Sequence, residues 1–335
     1  MGIQEQLERY WVELISVWIG FIFLITLIRG IRKNYEISIG WFEILSDFLE
    51  SQFSRSGFIK KSFLSDSWSH FDIFSTGRRN CKFMYMNVIC KPRQDLLTGV
   101  ILQPLLKNYD KVYVEIPVDS MGPIVLFICN RICLKETFIE YPEIEIHSTQ
   151  KKLSNVPRNF VIYSNSNACI EMLLISGFFS KFVNSSVMER LVNYIYISDV
   201  TTCPRATNSY SKLTNVIKCC FKLPSKKDIE DIKAIYGDQH YILRNLINMC
   251  DLLPTVKLPE KTLHHISKGR EEIERVANRM NEEKIHERIE AKRREKIKQE
   301  NLKVSKMTPK EQKKYQEKKE RQNMRSRIKV KKIRG

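Results

Sequence analysis

The strongest hydrophobic pattern in the chain lies near its start. Tyr10 to Ile28 is apolar on all sides, with Glu13 its one charge. Nineteen residues at 1.5 Å each give a helix of about 28 Å, close to the ~30 Å hydrocarbon core of a bilayer. Tyr10 and Trp11 stand where aromatic side chains meet the headgroup layer. The pattern predicts a membrane anchor over residues 10–28 rather than a buried core helix. A cleaved signal sequence fits less well: Glu5 and Glu8 precede the run, and Arg29-Gly30-Ile31-Arg32-Lys33 follows it in place of a small-residue cleavage site. Arg29, Arg32 and Lys33 on the C-terminal flank put the body in the cytosol and residues 1–9 on the lumenal side. No later run is long enough to span, since Pro123–Asn130 has eight residues and Met172–Ser180 nine.

Residues 31–260 alternate between two periodicities. Tyr85–Cys90, Lys111–Val118, Pro123–Asn130, Phe160–Ser164, Tyr194–Val200 and Val216–Leu223 read as strands, Lys111–Val118 with clear in–out alternation. Helical spacing falls on Arg93–Lys107, bent near Pro104, on Ala168–Val183, and on Asp228–Leu253 with Ser225 as its N-cap. Interleaved strands and helices predict an α/β domain. From 261 to 335 the pattern is charged and helical. Glu271 and Arg275, and Glu290 and Arg294, stand four apart with the acid first, the favoured order. A helix over Ser267–Asn301 runs about 50 Å. Thr308-Pro309-Lys310-Glu311 then marks the start of another, with Thr308 as cap and Pro309 at the first helical position.

Charge changes this picture most. The chain has 56 Lys+Arg against 38 Asp+Glu, a net of +18. Residues 291–335 hold 19 Lys+Arg against five Glu, so +14 of that sits in the last 45 residues. A nearly neutral body thus carries a polycationic end. The partners this charge admits are ribosomal RNA, other RNA and the anionic leaflet; a solvated tail without a partner is the plain alternative. Its distance in sequence from the anchor, and the near absence of aromatic residues apart from Tyr315, favour phosphate contacts with folded RNA. The candidate contacts are Lys292, Arg293, Arg294, Lys296 and Lys298, then Lys313, Lys314, Lys318, Lys319, Arg321, Arg325, Arg327, Lys329, Lys331, Lys332 and Arg334.

Candidate chemistry is sparse. The body has no HExxH, GxSxG or GxxxxGK[ST] motif, and its isolated glycines form no nucleotide fingerprint. His70 with Asp66 and Asp72 has no nucleophile beside it and reads as a surface histidine. The nine cysteines show no CxxC pair. They read as buried small hydrophobes, with a zinc site drawn from Cys129, Cys133, Cys219, Cys220 and the six scattered histidines the weaker alternative. The expectation is a protein that is not an enzyme and holds no cofactor or metal. Glu13, costly against lipid, faces either a partner helix or the headgroups.

Several patches occur in a recognisable order after the apolar segment: Glu50-Ser51-Gln52-Phe53; Thr76-Gly77-Arg78 with Cys81; Arg93-Gln94-Asp95-Leu96-Leu97; Ser198-Asp199; Lys222-Leu223-Pro224; and the closing Ile328-Lys329-Val330-Lys331. Together they resemble the calumin family, the coiled-coil-domain subunit of the PAT complex of the endoplasmic reticulum membrane. The resemblance implies a non-enzymatic biogenesis factor paired with a small membrane protein called Asterix. Such a pair chaperones multipass membrane proteins beside the ribosome and the Sec61 translocon. It also implies that the basic tail faces the ribosome. The family's long acidic lumenal segment has no counterpart in residues 1–9, so no calcium role is expected.

Overall fold

The computed structural model describes residues 3–56, 64–102, 109–153, 156–175, 186–202, 213–223, 241–305 and 321. Helix α1 (Ile3–Gln52) contains the apolar segment and continues past it with no second break; its one non-helical residue is Tyr10 (φ −115°, ψ 17°). Short strands β1 (Arg55–Ser56) and β2 (Leu64–Ser67) lead into β3 (His70–Thr76) and β4 (Phe83–Ile89). A π-helical turn (Leu97–Ile101) precedes β5 (Lys111–Pro117) and β6 (Val125–Asn130). Then come α2 (Leu134–Glu140), α3 (Glu143–His147), β7 (Thr149–Lys151), β8 (Phe160–Ser164), α4 (Asn167–Ile175) and α5 (Ser186–Leu191). Strands β9 (Val192–Thr202) and β10 (Leu213–Lys222) are followed by α6 (Tyr241–Leu252) and α7 (Glu260–Ser305).

The strands form one sheet in the order β1-β3-β4-β5-β10-β9-β6-β8-β7, with β2 also pairing to β3. Every pairing is antiparallel. This corrects the α/β expectation to an antiparallel sheet layered with helices. Parallel pairing needs a long crossover between neighbouring strands. Here β9 and β10 pair with each other and sit between β5 and β6, which the short stretch Val118–Ile124 connects.

Alternation along each strand sorts the side chains onto two faces. Met84, Met86, Val112, Val114, Ile116, Ile195, Ile197 and Ile217 join the main core with Trp41, Leu45, Phe48 and Leu49 of α1 and Leu243, Leu246, Ile247 and Cys250 of α6. Phe127, Tyr194, Tyr196 and Cys220 point the other way, into a smaller cluster with Ile144 of α3 and the partly buried Leu134, Phe138 and Tyr141. Each large apolar side chain so buried contributes roughly 1.5–3 kcal/mol.

The buried stripe of α1 runs Gly30, Asn34, Ser38, Trp41, Leu45, Phe48 and Leu49. That is helical spacing, but its first three members are small or polar. A Cβ on Gly30 would stand 2.3 Å from the Arg93 carbonyl oxygen, whereas one on Gly40 would meet nothing within 4 Å. Gly30→Ala is therefore expected to lower stability by about 1–3 kcal/mol through overpacking against backbone. Gly40→Ala should instead raise it by up to about 1 kcal/mol through helix propensity. Urea unfolding of the two variants side by side checks the opposite signs.

The six expected strands are all present, within two or three residues at their ends. Within the helix expected over Arg93–Lys107, Leu97–Ile101 form a π-helical turn, where the Leu102 amide donates to the Leu97 carbonyl (2.9 Å); residues 103–108 lie outside the described set. Helices α4 and α6 realise parts of the runs expected at 168–183 and 228–253, whose remainders, with Ser225, also lie outside it. Two compact units divide at Lys268. The second begins within α7, which extends the helix expected over 267–301. Its exposed ion pairs Glu271–Arg275 (3.8 Å) and Glu290–Arg294 (3.4 Å) are the two anticipated, each worth only tenths of a kcal/mol. The helix expected from Pro309 lies outside the described residues.

Candidate functional site

Two polar clamps fasten α1 to the sheet, one at each end of its packed half. At the near end Asn34 is fully buried. Its Nδ2 is shared among the Lys91 carbonyl (3.1 Å), the Trp68 carbonyl (3.2 Å) and Gln94 Oε1 (3.2 Å), and its Oδ1 accepts from Arg93 Nη1 (2.9 Å). Arg93 then grips Asp110 with both nitrogens, 2.8 Å and 2.7 Å, and Asp110 Oδ1 also accepts the Lys91 amide (2.7 Å). The pair is only 15% and 13% exposed. Two parallel charge-assisted bonds in a nearly dry setting fix geometry as well as energy. One turn on, the Ser38 hydroxyl and the Cys90 thiol are 3.3 Å apart.

At the far end Arg78 Nη1 donates to Gln52 Oε1 (2.7 Å) and its Nη2 to Asp251 Oδ2 of α6 (2.5 Å). Asn80 Nδ2 donates to the other Asp251 oxygen (3.1 Å). The turn that presents Arg78 depends on Gly77, whose φ of +89° disfavours a side chain; the Ser54 hydroxyl donates to the Gly77 carbonyl (2.6 Å). The patches around Gln52, Gly77 and Arg93 thus hold the clamps. Their partners Asn34, Asp110 and Asp251 carried no local signal, except that Asn34 stands as a polar residue in a stripe of helical spacing.

On the opposite face of the sheet a cleft of about 550 Å³ is lined by Tyr85, Tyr113, Tyr141, Tyr194, Glu115, Glu140 and Lys218 among others. Lys218 Nζ pairs with Glu115 (3.5 Å) and lies 4.6 Å from the centre of the Tyr141 ring. Burial raises the Tyr113, Tyr141 and Tyr194 hydroxyls, which stay protonated. Asp72 accepts from the Tyr85 hydroxyl (2.5 Å) and from Asn87 (2.8 Å), which places it in a structural network beside His70 on β3. The side chain of Asp66 lies outside the described set. Among the described residues no group of three or more His, Cys, Asp and Glu is placed to hold a metal ion.

Among the described residues no cysteine forms a disulfide, and all but the half-buried Cys133 are buried. Burial pushes the Cys81, Cys90 and Cys220 thiols up to about 11 and Cys129 up to about 12, from 9.0. Cys219 and Cys250 are likewise raised by burial. Above pH 9 the unfolded chain ionises these thiols while the folded one keeps them protonated, so unfolding then releases protons. Stability from this source is full below about pH 9 and is lost as pH rises towards 11–12. The urea midpoint should fall across that window; a flat profile would contradict the burial account.

Glu13 is exposed on α1, three residues past the kink at Tyr10, and its carbonyl accepts from the Ser16 hydroxyl (2.7 Å). Lys292, Arg294 and Lys298 are exposed on α7, to which Arg293 and Lys296 also belong; Arg321, beyond that helix, is exposed as well. Lys313, Lys314, Lys318, Lys319, Arg325, Arg327, Lys329, Lys331, Lys332 and Arg334 lie outside the described residues.

A family model described as PAT complex subunit CCDC47 matches residues 9–326, from the start of the apolar segment through most of the tail. The chain belongs to this family. A UPF0674 endoplasmic reticulum membrane protein of Schizosaccharomyces pombe is 21% identical to it over 339 residues, covering 95% of this chain and 86% of the relative. The crystal structure of the mycobacterial trehalose monomycolate transport factor A, TtfA, superposes with a TM-score of 0.29 at 9% identity, covering 64% of this chain and 86% of that one. A likeness at that level carries no argument. For a CCDC47-family chain the apolar helix agrees with single-pass anchoring. Its most apolar window has a mean hydropathy of 2.3, and none of its residues is buried.

Proposed function

We propose that this chain is a non-enzymatic, membrane-held subunit of an intramembrane chaperone of the PAT type. In this reading it sits in the endoplasmic reticulum membrane with residues 1–9 lumenal and its body cytosolic. It assists the insertion of multipass membrane proteins beside the Sec61 translocon and works with an Asterix-like small membrane protein. The observation that carries the reading is the family match over 9–326, which takes in anchor, domain and basic tail together.

The chemistry supports it in three places. The clamps couple the anchor helix to the domain, so a domain held by partners also holds the anchor. Glu13, exposed within the apolar segment, gives a partner helix or a polar client helix a charged group to meet. The tail from Lys292 to Arg334 supplies cations for ribosomal RNA phosphates. A second reading, a tether that joins the membrane to RNA or anionic lipid without handling clients, is favoured by the concentration of +14 in residues 291–335. Crosslinks from the anchor to nascent multipass chains separate the two, because a tether gives none.

A further inference from the structure

The near clamp fixes how far the domain stands from the end of the apolar segment. Gly30 lies two residues past Ile28, about 3 Å along the axis, and Asn34 six residues past it, about 9 Å. Helical side chains tilt back towards the N-terminus, which brings the Asn34 amide nearer the apolar end. The backbone of Arg93 packs against Gly30, while the Trp68 carbonyl and Gln94 bond to Asn34. The headgroup layer is about 5–7 Å deep on each side of the hydrocarbon core. Trp68 and the π-helical turn after Gln94 therefore stand at headgroup depth.

Two large apolar side chains are exposed in these segments, Trp68 at 55% and Leu97 at 61%. Tryptophan prefers the membrane–water interface to either side of it. Arg29 and Lys33 are exposed on α1 at the same level, where lipid phosphates lie. Exposure along α1 also drops at Ile25–Leu27, before the apolar segment ends.

We propose that the domain makes a second contact with the bilayer, through Trp68 and Leu97, in the headgroup layer beside the exit of the anchor helix. The inference rests on reading Tyr10–Ile28 as a membrane span. Two contacts hold the sheet at one tilt to the membrane, where a single helix leaves it free to swing.

The test uses the full chain in nanodiscs and the chain's four tryptophans, Trp11, Trp18, Trp41 and Trp68. Buried Trp41 is kept throughout, so only exposed positions change. W11F/W18F minus W11F/W18F/W68F isolates the Trp68 emission, and W11F/W68F minus W11F/W18F/W68F isolates that of Trp18. A nitroxide on the lipid headgroup should remove most of the Trp68 emission, aqueous acrylamide should remove little, and lipid brominated at mid-chain should quench Trp18. Trp68 open to acrylamide and indifferent to the nitroxide, with Trp18 still quenched, overturns the second contact and leaves the span standing. Trp18 indifferent to the brominated lipid overturns span and contact together.

Discussion

Asp110→Ala should destabilise the domain by about 3–5 kcal/mol, the usual consequence of leaving one member of a buried ion pair without its partner. The carboxylate takes both Arg93 nitrogens and the Lys91 amide, all within 2.8 Å. Its loss strands a guanidinium that is 15% exposed and still bonded to Asn34. Urea unfolding of the full chain in micelles, followed by Trp41 fluorescence, reads the change. A double replacement by leucine at 93 and 110 should recover part of the loss, since the larger cost is the unpaired charge rather than the missing bond. A midpoint unchanged in the Asp110→Ala variant would mean that the clamp does not hold α1.

Deleting residues 291–335 should release the chain's membranes from ribosomes. The deletion removes 19 Lys+Arg and leaves the body, whose net charge is close to zero. Phosphate contacts release counterions, so with six or more of them affinity should fall about a thousandfold as salt rises from roughly 50 to 200 mM. Co-sedimentation of membranes with ribosomes across that range gives both the loss and the slope. Binding that survives the deletion with the same slope would assign the contact elsewhere. A chain with only Lys292–Lys298 neutralised should show a reduced slope, because fewer phosphates are met.

The strands were legible because Val and Ile alternate with other residues in Lys111–Val118, and its five companions are short apolar runs rich in Ile, Val and Tyr. The packed half of α1 was not. Its stripe opens on Gly30, Asn34 and Ser38, which a hydrophobic pattern reads as a solvent face, and their burial depends on bonds to residues 34 to 60 positions away. Strand direction was illegible for a similar reason: insertion of β9 and β10 between β5 and β6 leaves no trace in local periodicity. Short strands such as β1 and β7, and β3 with His, Asp, Ser and Thr on it, lack the apolar run that announces a strand. Of the clamps, Arg78 and Arg93 stand within the family patches, which by themselves give them no role. Asp110 and Asp251 are carboxylates in unremarkable surroundings whose roles exist only once the chain is folded.

In the proposed role the anchor meets clients at the ribosome. A photoreactive residue in place of Val17, exposed in the middle of the apolar segment, tests it on stalled ribosomes carrying a multipass chain with a polar transmembrane helix. Adducts between this chain and the nascent protein are expected, and they should disappear when the polar helix is made fully apolar. Ribosomes bound to the membrane with no nascent-chain adduct from the anchor would contradict that role and leave a tether.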